Sequence, residues 1–450
     1  MGRLFGTDGI RGVVNDGLDG ELAYKVGLAA AQVLSAQSER KPRFFIGLDT
    51  RISGDMLAAA LTAGITAAGA DVRNLGVVPT PAVAYLTKKH GYDAGIMVSA
   101  SHNPCEHNGI KIFNGEGFKL SDELEEAVEA LILGDAPFAP LPVGAGLGAA
   151  SISDGAEGEE YISYLRQTVS VDFSGLRVLI DCANGSASAT AQRLFSQLPG
   201  LRYDIISAEP NGININAGCG STHLDGLSKL VVAGGYDLGI AFDGDADRCL
   251  CVDETGGEID GDKMMAVCAQ VMRAQGELPA SAIVATVMSN IGLHRYCQEE
   301  GFRLICTAVG DRNVLECMLE NGYAIGGEQS GHMIFLALAT TGDGQLTALQ
   351  FLQVLVKSGA KASNLVACCP KYPQVLKNMK IASVEDKNRI MSAESLKAEI
   401  TAVETLLGGD GRVLIRPSGT EALIRVMVEA KSEGDAVSYT DRLVKFIENL

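Results

Sequence analysis

"DLGIAFDGDADR", from Asp237 to Arg248, runs through five apolar or small residues and then breaks into a turn that holds three carboxylates. Its apolar part is nearly continuous, as in a strand of a parallel sheet buried on both faces. The same pattern recurs in "RFFIGLDTR" (43–51), "DAGIMVSAS" (93–101), "LRVLIDCANGS" (176–186) and "AIVATVMSN" (282–290). Each run ends in a polar turn of Gly, Asp or Ser and gives way to an Ala/Leu-rich helical pattern, which predicts an α/β fold. In such sheets ligands collect at the carboxyl ends of the strands, where these polar turns fall.

Two stretches punctuate this series. "GDAPFAPLPVGAGLGAASISDGAEGEE" (134–160) is rich in Gly, Ala and Pro and reads as a linker or loosely packed boundary, and "VACCPKYPQV" (366–375) reads as a second break. Past it, "GRVLIRPSGTEALIRVMVEA" (411–430) alternates like an antiparallel strand pair, and "DAVSYTDRLVKFIENL" (435–450) is an amphipathic helix, so the chain should end in a small α+β domain.

A chain of 450 residues that is 47% hydrophobic and 20% charged can fill several globular cores, and three or four domains are expected. Its net charge of -18 repels nucleic acid and anionic membranes, so an anionic ligand needs a dedicated pocket. Eleven cysteines lie mostly in apolar stretches, without C-x-x-C spacing, and read as reduced thiols. "MGRLFGTDGIRG" lacks the apolar region of a secretory signal and no run is long enough to span a bilayer, which predicts a soluble, cytoplasmic protein.

Four polar loops carry the candidate chemistry. In "FDGDADR", Asp243, Asp245 and Asp247 can converge on one cation, and oxygen ligands alone favour a hard ion such as Mg²⁺. An EF-hand is excluded, because Arg248 stands where its glycine belongs and β-rich runs flank the loop. In "SASHNPCEHNGIK", Ser101 precedes His102, but neighbours on an extended chain point apart and no G-x-S-x-G elbow is present. A serine without an adjacent base suits phosphate carriage, with Mg²⁺ and a lysine to neutralise the charge, a place Lys111 could fill although taken alone it reads better as a surface lysine. "RPSGTEALIR" (416–425) sets Arg416, Ser418, Thr420 and Arg425 around Gly419 as a phosphate cradle. "GGEQSGH" (326–332) offers Glu328, Ser330 and His332, a set that suits a polyol such as a sugar or an ordinary loop.

In this order the four loops resemble those of the α-D-phosphohexomutase superfamily over essentially the whole chain. With the opening "FGTDGIRG", they look most like the branch that interconverts glucosamine 6-phosphate and glucosamine 1-phosphate for cell-wall amino-sugar synthesis. The resemblance implies four domains around a central cleft: 1–153, 154–254 and 255–368 as similar α/β domains with mixed sheets, and 369–450 as an α+β domain resembling the TATA-binding-protein fold. It also implies roles. Ser101 is the phosphoserine. One Mg²⁺ sits on Asp243, Asp245, Asp247 and a phosphoserine oxygen, and Lys111, Arg248, Arg11 and His332 assist the transfer. Glu328 and Ser330 hold sugar hydroxyls, Arg416, Ser418, Gly419, Thr420 and Arg425 grip the distal phosphate, and Thr7 reaches the cleft. Glucosamine 1,6-bisphosphate is the implied intermediate and activator, no nucleic acid or membrane partner is expected, and a homodimer is left open.

Departures from the family pattern are visible. His107 replaces Asp, Ala422 replaces Pro, Ala308 and Asn313 stand where lysine and tyrosine are usual, and Ala337 and Ala339 replace polar residues. A phosphoglucomutase or phosphomannomutase with the same machinery, and a non-catalytic phosphosugar-binding protein, are the alternative readings.

Overall fold

The computed structural model describes residues 3–6, 8–35, 40–417 and 422–450. All five apolar runs form strands, Arg43–Leu48, Ala94–Val98, Arg177–Asp181, Leu238–Phe242 and Ala282–Thr286, and apart from the two leading arginines they are buried throughout. Each pairs in parallel with at least one neighbour. The sheets are nevertheless mixed, as the resemblance implied. Ala94–Val98 pairs antiparallel with His107–Asn114, and Leu238–Phe242 pairs antiparallel with Cys249–Asp253. Burial on both faces reports what lies above and below a strand and is silent about the direction of the strand beside it.

The chain forms three such α/β modules and a C-terminal antiparallel one. The first sheet has seven strands, the second five and the third four. Helices Gly20–Leu34, Gly261–Gln275 and Gly344–Ser358 begin where Asp19, Asp260 and Asp343 accept a backbone N–H of the first turn, which satisfies an otherwise orphaned donor. The stretch 134–160 is more than a linker. Its Ala150–Ile152 is the edge strand of the first sheet, paired with Asp71–Val77, and helix Ala156–Gln167 starts inside it. Three exposed residues on an edge carry no hydrophobic pattern, so the strand left no signal.

By compactness the described chain divides into two units, residues 1–288 with 303–367, and residues 289–302 with 368–450. The first unit holds all three mixed sheets. In the second, Leu423–Glu429 lies between Gln374–Lys380 and Arg412–Pro417, antiparallel to both, under helices Glu394–Leu407 and Glu433–Glu448. Helix Ile291–Glu300 joins this unit through Glu429, which is fully buried and accepts hydrogen bonds from Ile291 N at 2.8 Å and Arg412 Nε at 2.6 Å. Among the described residues no helix is long and apolar enough to cross a membrane. All eleven cysteines are free thiols.

Candidate active site

All four polar loops occupy the same topological place. Val98 pairs with Ile110, Phe242 with Cys249, Gly327 with Met333 and Pro417 with Ile424, so each loop is the connection of an antiparallel strand pair. The three loops of the first unit meet. Ser101 Oγ of the serine loop donates to Asp243 Oδ2 of the acidic loop, Cys249 N donates to Gly331 O at 3.1 Å, and Arg248 and His332 form an isolated β-bridge.

Ser101 is 1% exposed and sits in the left-handed region at φ +51°. That conformation costs a non-glycine residue about 1–2 kcal/mol, and such strain concentrates at functional sites. The curl also overturns the extended-chain argument that parted Ser101 from His102, since Oγ lies 3.5 Å from His102 Nδ1. The hydroxyl is committed elsewhere, donating to Asp243 Oδ2 at 2.5 Å. Burial, aided by Arg248 and Arg11, pushes His102 down to about 4, so its ring is neutral near pH 7.

Asp243, Asp245 and Asp247 are buried, and one carboxylate oxygen from each lies within 4.8 Å of the others. Lys111, itself 1% exposed, donates to Asp245 Oδ2 at 2.8 Å and Asp247 Oδ2 at 3.1 Å, and Thr80 Oγ1 donates to Asp245 Oδ2 at 2.6 Å. The opposite oxygens, Asp245 Oδ1 and Asp247 Oδ1, are buried without a hydrogen-bond partner. Burial and the like charges of Asp247 and Asp245 drive Asp243 well above the usual carboxylate range. Burial presses Asp245 the same way, but Lys111 overrides it and holds this carboxyl low. Burial likewise opposes the Lys111 charge, yet Asp245, Asp247 and Asp8 raise the ammonium well above its ordinary value. Three hard oxygen donors, two with orphaned lone pairs and no nitrogen or sulfur among them, fit a hard divalent cation.

From Lys111 an alternating chain of charges crosses the site. Lys111 meets Asp8 at 3.0 Å, Asp8 pairs with Arg11 and Lys119, Lys119 reaches Asp311 at 2.5 Å, and Asp311 Oδ2 lies 3.5 Å from His332 Nε2. Neither ring nitrogen of the buried His332 makes a hydrogen bond, and its ring lies so close to Gly342 that a Cβ there would meet it at 2.4 Å. A cavity of about 430 Å³ opens beside this chain, lined among others by Arg11, His102, Arg248, Asp311, Glu328 and His332. Glu328 accepts from Gly310 N at 3.3 Å. Ser330 is absent from the lining, though its Oγ is buried without a partner.

In the second unit Arg416 and Arg425 are directly opposed across the strand pair, and no carboxylate among the described residues pairs with either. Burial, and then Arg425, lower the Arg416 guanidinium. Two facing cations are destabilising until an anion joins them. Thr7, Ser418, Gly419 and Thr420 lie outside the described residues.

Sequence reading missed Asp8, Thr80, Lys119 and Asp311. Asp8 sits in "FGTDGIRG" between two residues that were singled out, and Asp311 in "TAVGDRNV", noticed only for its departures. Lys119 and Thr80 stand in stretches with no local signature, because their role depends on partners far along the chain.

The family described as phosphoglucomutase/phosphomannomutase matches in four consecutive pieces: alpha/beta/alpha domains I, II and III at residues 2–137, 159–257 and 260–372, and the C-terminal domain at 377–445. The chain is 49% identical over 449 residues to the phosphoglucosamine mutase of Clostridium kluyveri, covering 100% of this chain and 99% of that one. Among solved structures, it superposes on a phosphoglucomutase/phosphomannomutase family protein from Burkholderia thailandensis with a TM-score of 0.83 at 25% identity, covering 99% and 97% of the two chains. The N-acetylphosphoglucosamine mutase of Aspergillus fumigatus, solved with GlcNAc-6P and magnesium, shares the fold with a TM-score of 0.68 at 19% identity, covering 98% and 95%.

Proposed function

The chain belongs to the phosphoglucomutase/phosphomannomutase family and is a phosphohexomutase, and from that premise we propose that it interconverts glucosamine 6-phosphate and glucosamine 1-phosphate through a phosphoserine at Ser101. The carrying observation is the Ser101 hydroxyl donating to Asp243 within a buried cluster whose other carboxylates keep orphaned oxygens. A hydroxyl whose proton goes to one carboxyl of a hard-cation site suits a phosphate carrier better than a hydrolytic nucleophile.

Phosphoryl transfer depends on positioning and on neutralising charge spread over the equatorial oxygens. The phosphoryl group leaves Ser101 Oγ for O1 of the 6-phosphate sugar, so the P–Oγ bond breaks as the P–O1 bond forms. His332, lining the cavity with ring nitrogens that make no hydrogen bond, takes the O1 proton, and Lys111 and Arg248 balance the charge left on the serine side. The bisphosphate then turns end for end, the P–O6 bond breaks as its 6-phosphoryl group returns to Ser101 Oγ, His332 gives the proton it holds to O6, and the 1-phosphate departs. Asp243, Asp245 and Asp247 would hold Mg²⁺ with a phosphoserine oxygen, and bound there it would supply positive charge to the transferring group. Glu328, in the cavity lining, holds sugar hydroxyls and Arg11 faces the substrate. The family resemblance, rather than the cavity, adds Ser330 to the sugar set and assigns Arg416 and Arg425, with Ser418, Gly419, Thr420 and Thr7, to the phosphate that is not reacting.

Glucosamine, glucose and mannose 6-phosphates share the anion, so discrimination rests on groups facing C2. The enzyme charged with phosphate should give its highest kcat/KM with glucosamine 6-phosphate when the three are compared with traces of their bisphosphates, and Ser101→Ala should turn over none of them. A preference for glucose or mannose 6-phosphate would reassign the substrate, and full turnover by Ser101→Ala would sink the covalent route.

A further inference from the structure

We propose that Arg51 and Asn216 clamp the backbone of the serine loop and thereby aim Ser101 at the acidic cluster, an inference that rests on the phosphoserine reading above. Serine has no intrinsic preference for the left-handed conformation that Ser101 adopts at φ +51°, so the surroundings must impose it. Two side chains do so, and each bridges the same two carbonyls. Arg51 Nη2 donates to Ser101 O at 3.1 Å and to Asn103 O at 2.5 Å, while Asn216 Nδ2 donates to the same oxygens at 2.9 and 3.2 Å. Holding both carbonyls on one side of the chain keeps the loop curled, and the serine amide is held as well, donating to Ser99 Oγ at 2.9 Å.

The jaws come from different modules. Arg51 follows strand Arg43–Leu48 of the first sheet, is 3% exposed, and is ion-paired with Asp49, whose side chain is fully buried. Asn216 lies in the second module between strand Arg202–Ile206 and helix Leu224–Gly234, is 6% exposed, and donates its own N–H to Ala183 O at 2.9 Å. Gly244 of the acidic loop seats on the same assembly, since a Cβ there would come within 2.5 Å of Ser101 O and 2.9 Å of Asn216 Nδ2. The carbonyl of Ser101 is thus drawn into the clamp while its Oγ is left facing Asp243. Neither Arg51 nor Asn216 lines the cavity, so both are positioning residues. The reaction returns phosphate to one oxygen on every cycle, and a displacement of about 1 Å at a reacting atom costs on the order of a hundredfold in rate.

The test uses full-length parent, Asn216→Ala and Arg51→Lys, each charged with glucosamine 1,6-bisphosphate and mixed with glucosamine 6-phosphate in a single-turnover quench experiment read by intact mass, alongside steady-state KM and melting temperature. Asn216→Ala should discharge phospho-Ser101 about tenfold or more slowly, with KM changed less than about twofold and the fold retained. Arg51→Lys, which keeps its charge against Asp49 but loses the fork, should lose less. Parent-like discharge in both variants, or a loss confined to KM, overturns the clamp, and Arg51→Lys decides the matter if Asn216→Ala does not fold. A parent that takes no phosphate on Ser101 overturns the phosphoserine reading, and the clamp's role with it.

Discussion

Asp245 divides its two oxygens between unlike tasks. Oδ2 takes Thr80 and Lys111, while Oδ1 is buried without a donor. Asp245→Asn keeps the volume but removes the charge that anchors Lys111 and one of the three carboxylates a cation would meet. Activity should fall about tenfold or more, with a comparable rise in the Mg²⁺ concentration for half-maximal rate. An Mg²⁺ titration of the variant that superimposed on the parent's would reduce the triplet to a structural turn. The identity of these ligands was legible in "FDGDADR", because alternating carboxylates after a buried strand have few other uses. Which oxygen faces the cation was not, since that depends on Lys111 and Thr80, 134 and 165 residues away.

Asp343 shows the same dependence at the scale of an element. It caps helix Gly344–Ser358 by accepting from Leu346 N at 2.9 Å, and both its oxygens take the Tyr161 hydroxyl, at 3.0 and 2.9 Å. Burial outweighs these bonds and pushes its carboxyl up to about 7 from an ordinary 3.8. A raised acid holds its proton in the fold after the unfolded chain has released it, so its neutral form supports stability at low pH, and that support is lost as pH climbs through the folded value. Asp343→Asn keeps the cap without the charge. Its melting temperature should match the parent's at about pH 3.5, below the unfolded value, and exceed it by a margin that grows as pH climbs to about 7 and reaches a few degrees by about pH 8, measured by calorimetry across that range, and a constant offset would refute the assignment. The strand pattern announced the elements themselves and, in the alternation of residues 411–430, the antiparallel pair around the last loop, whereas the antiparallel partners of the serine and acidic loops left no trace in it.

For the whole molecule, the two compact units provide a further test. Glu429 is fully buried and holds Ile291 N and Arg412 in the second unit. Glu429→Ala leaves the part-buried Arg412 guanidinium and the Ile291 amide without their carboxylate, although Arg412 keeps Ser289 O, a loss of about 1–3 kcal/mol. Calorimetry should show the second unit melting earlier and the first unchanged, and a uniform shift of one transition would mean that the units do not unfold separately. The break near "VACCPKYPQV" was readable because proline and polar residues interrupt the apolar pattern, and the unit boundary between Ala367 and Cys368 falls within it. That residues 289–302 belong with the C-terminal unit was not readable, because Glu429 captures them across more than a hundred positions. The sequence by itself determined the α/β class, the family and the chemical kinds of residue at each polar loop, since buried strands, carboxylate spacing and glycine turns are local properties. Only the tertiary structure decided the curl of Ser101, its clamp by Arg51 and Asn216, and the ion chain that runs from Lys111 to Asp311 beside His332. Those are set by hydrogen bonds and charges that meet after folding, and their partners carry no mark of each other along the chain.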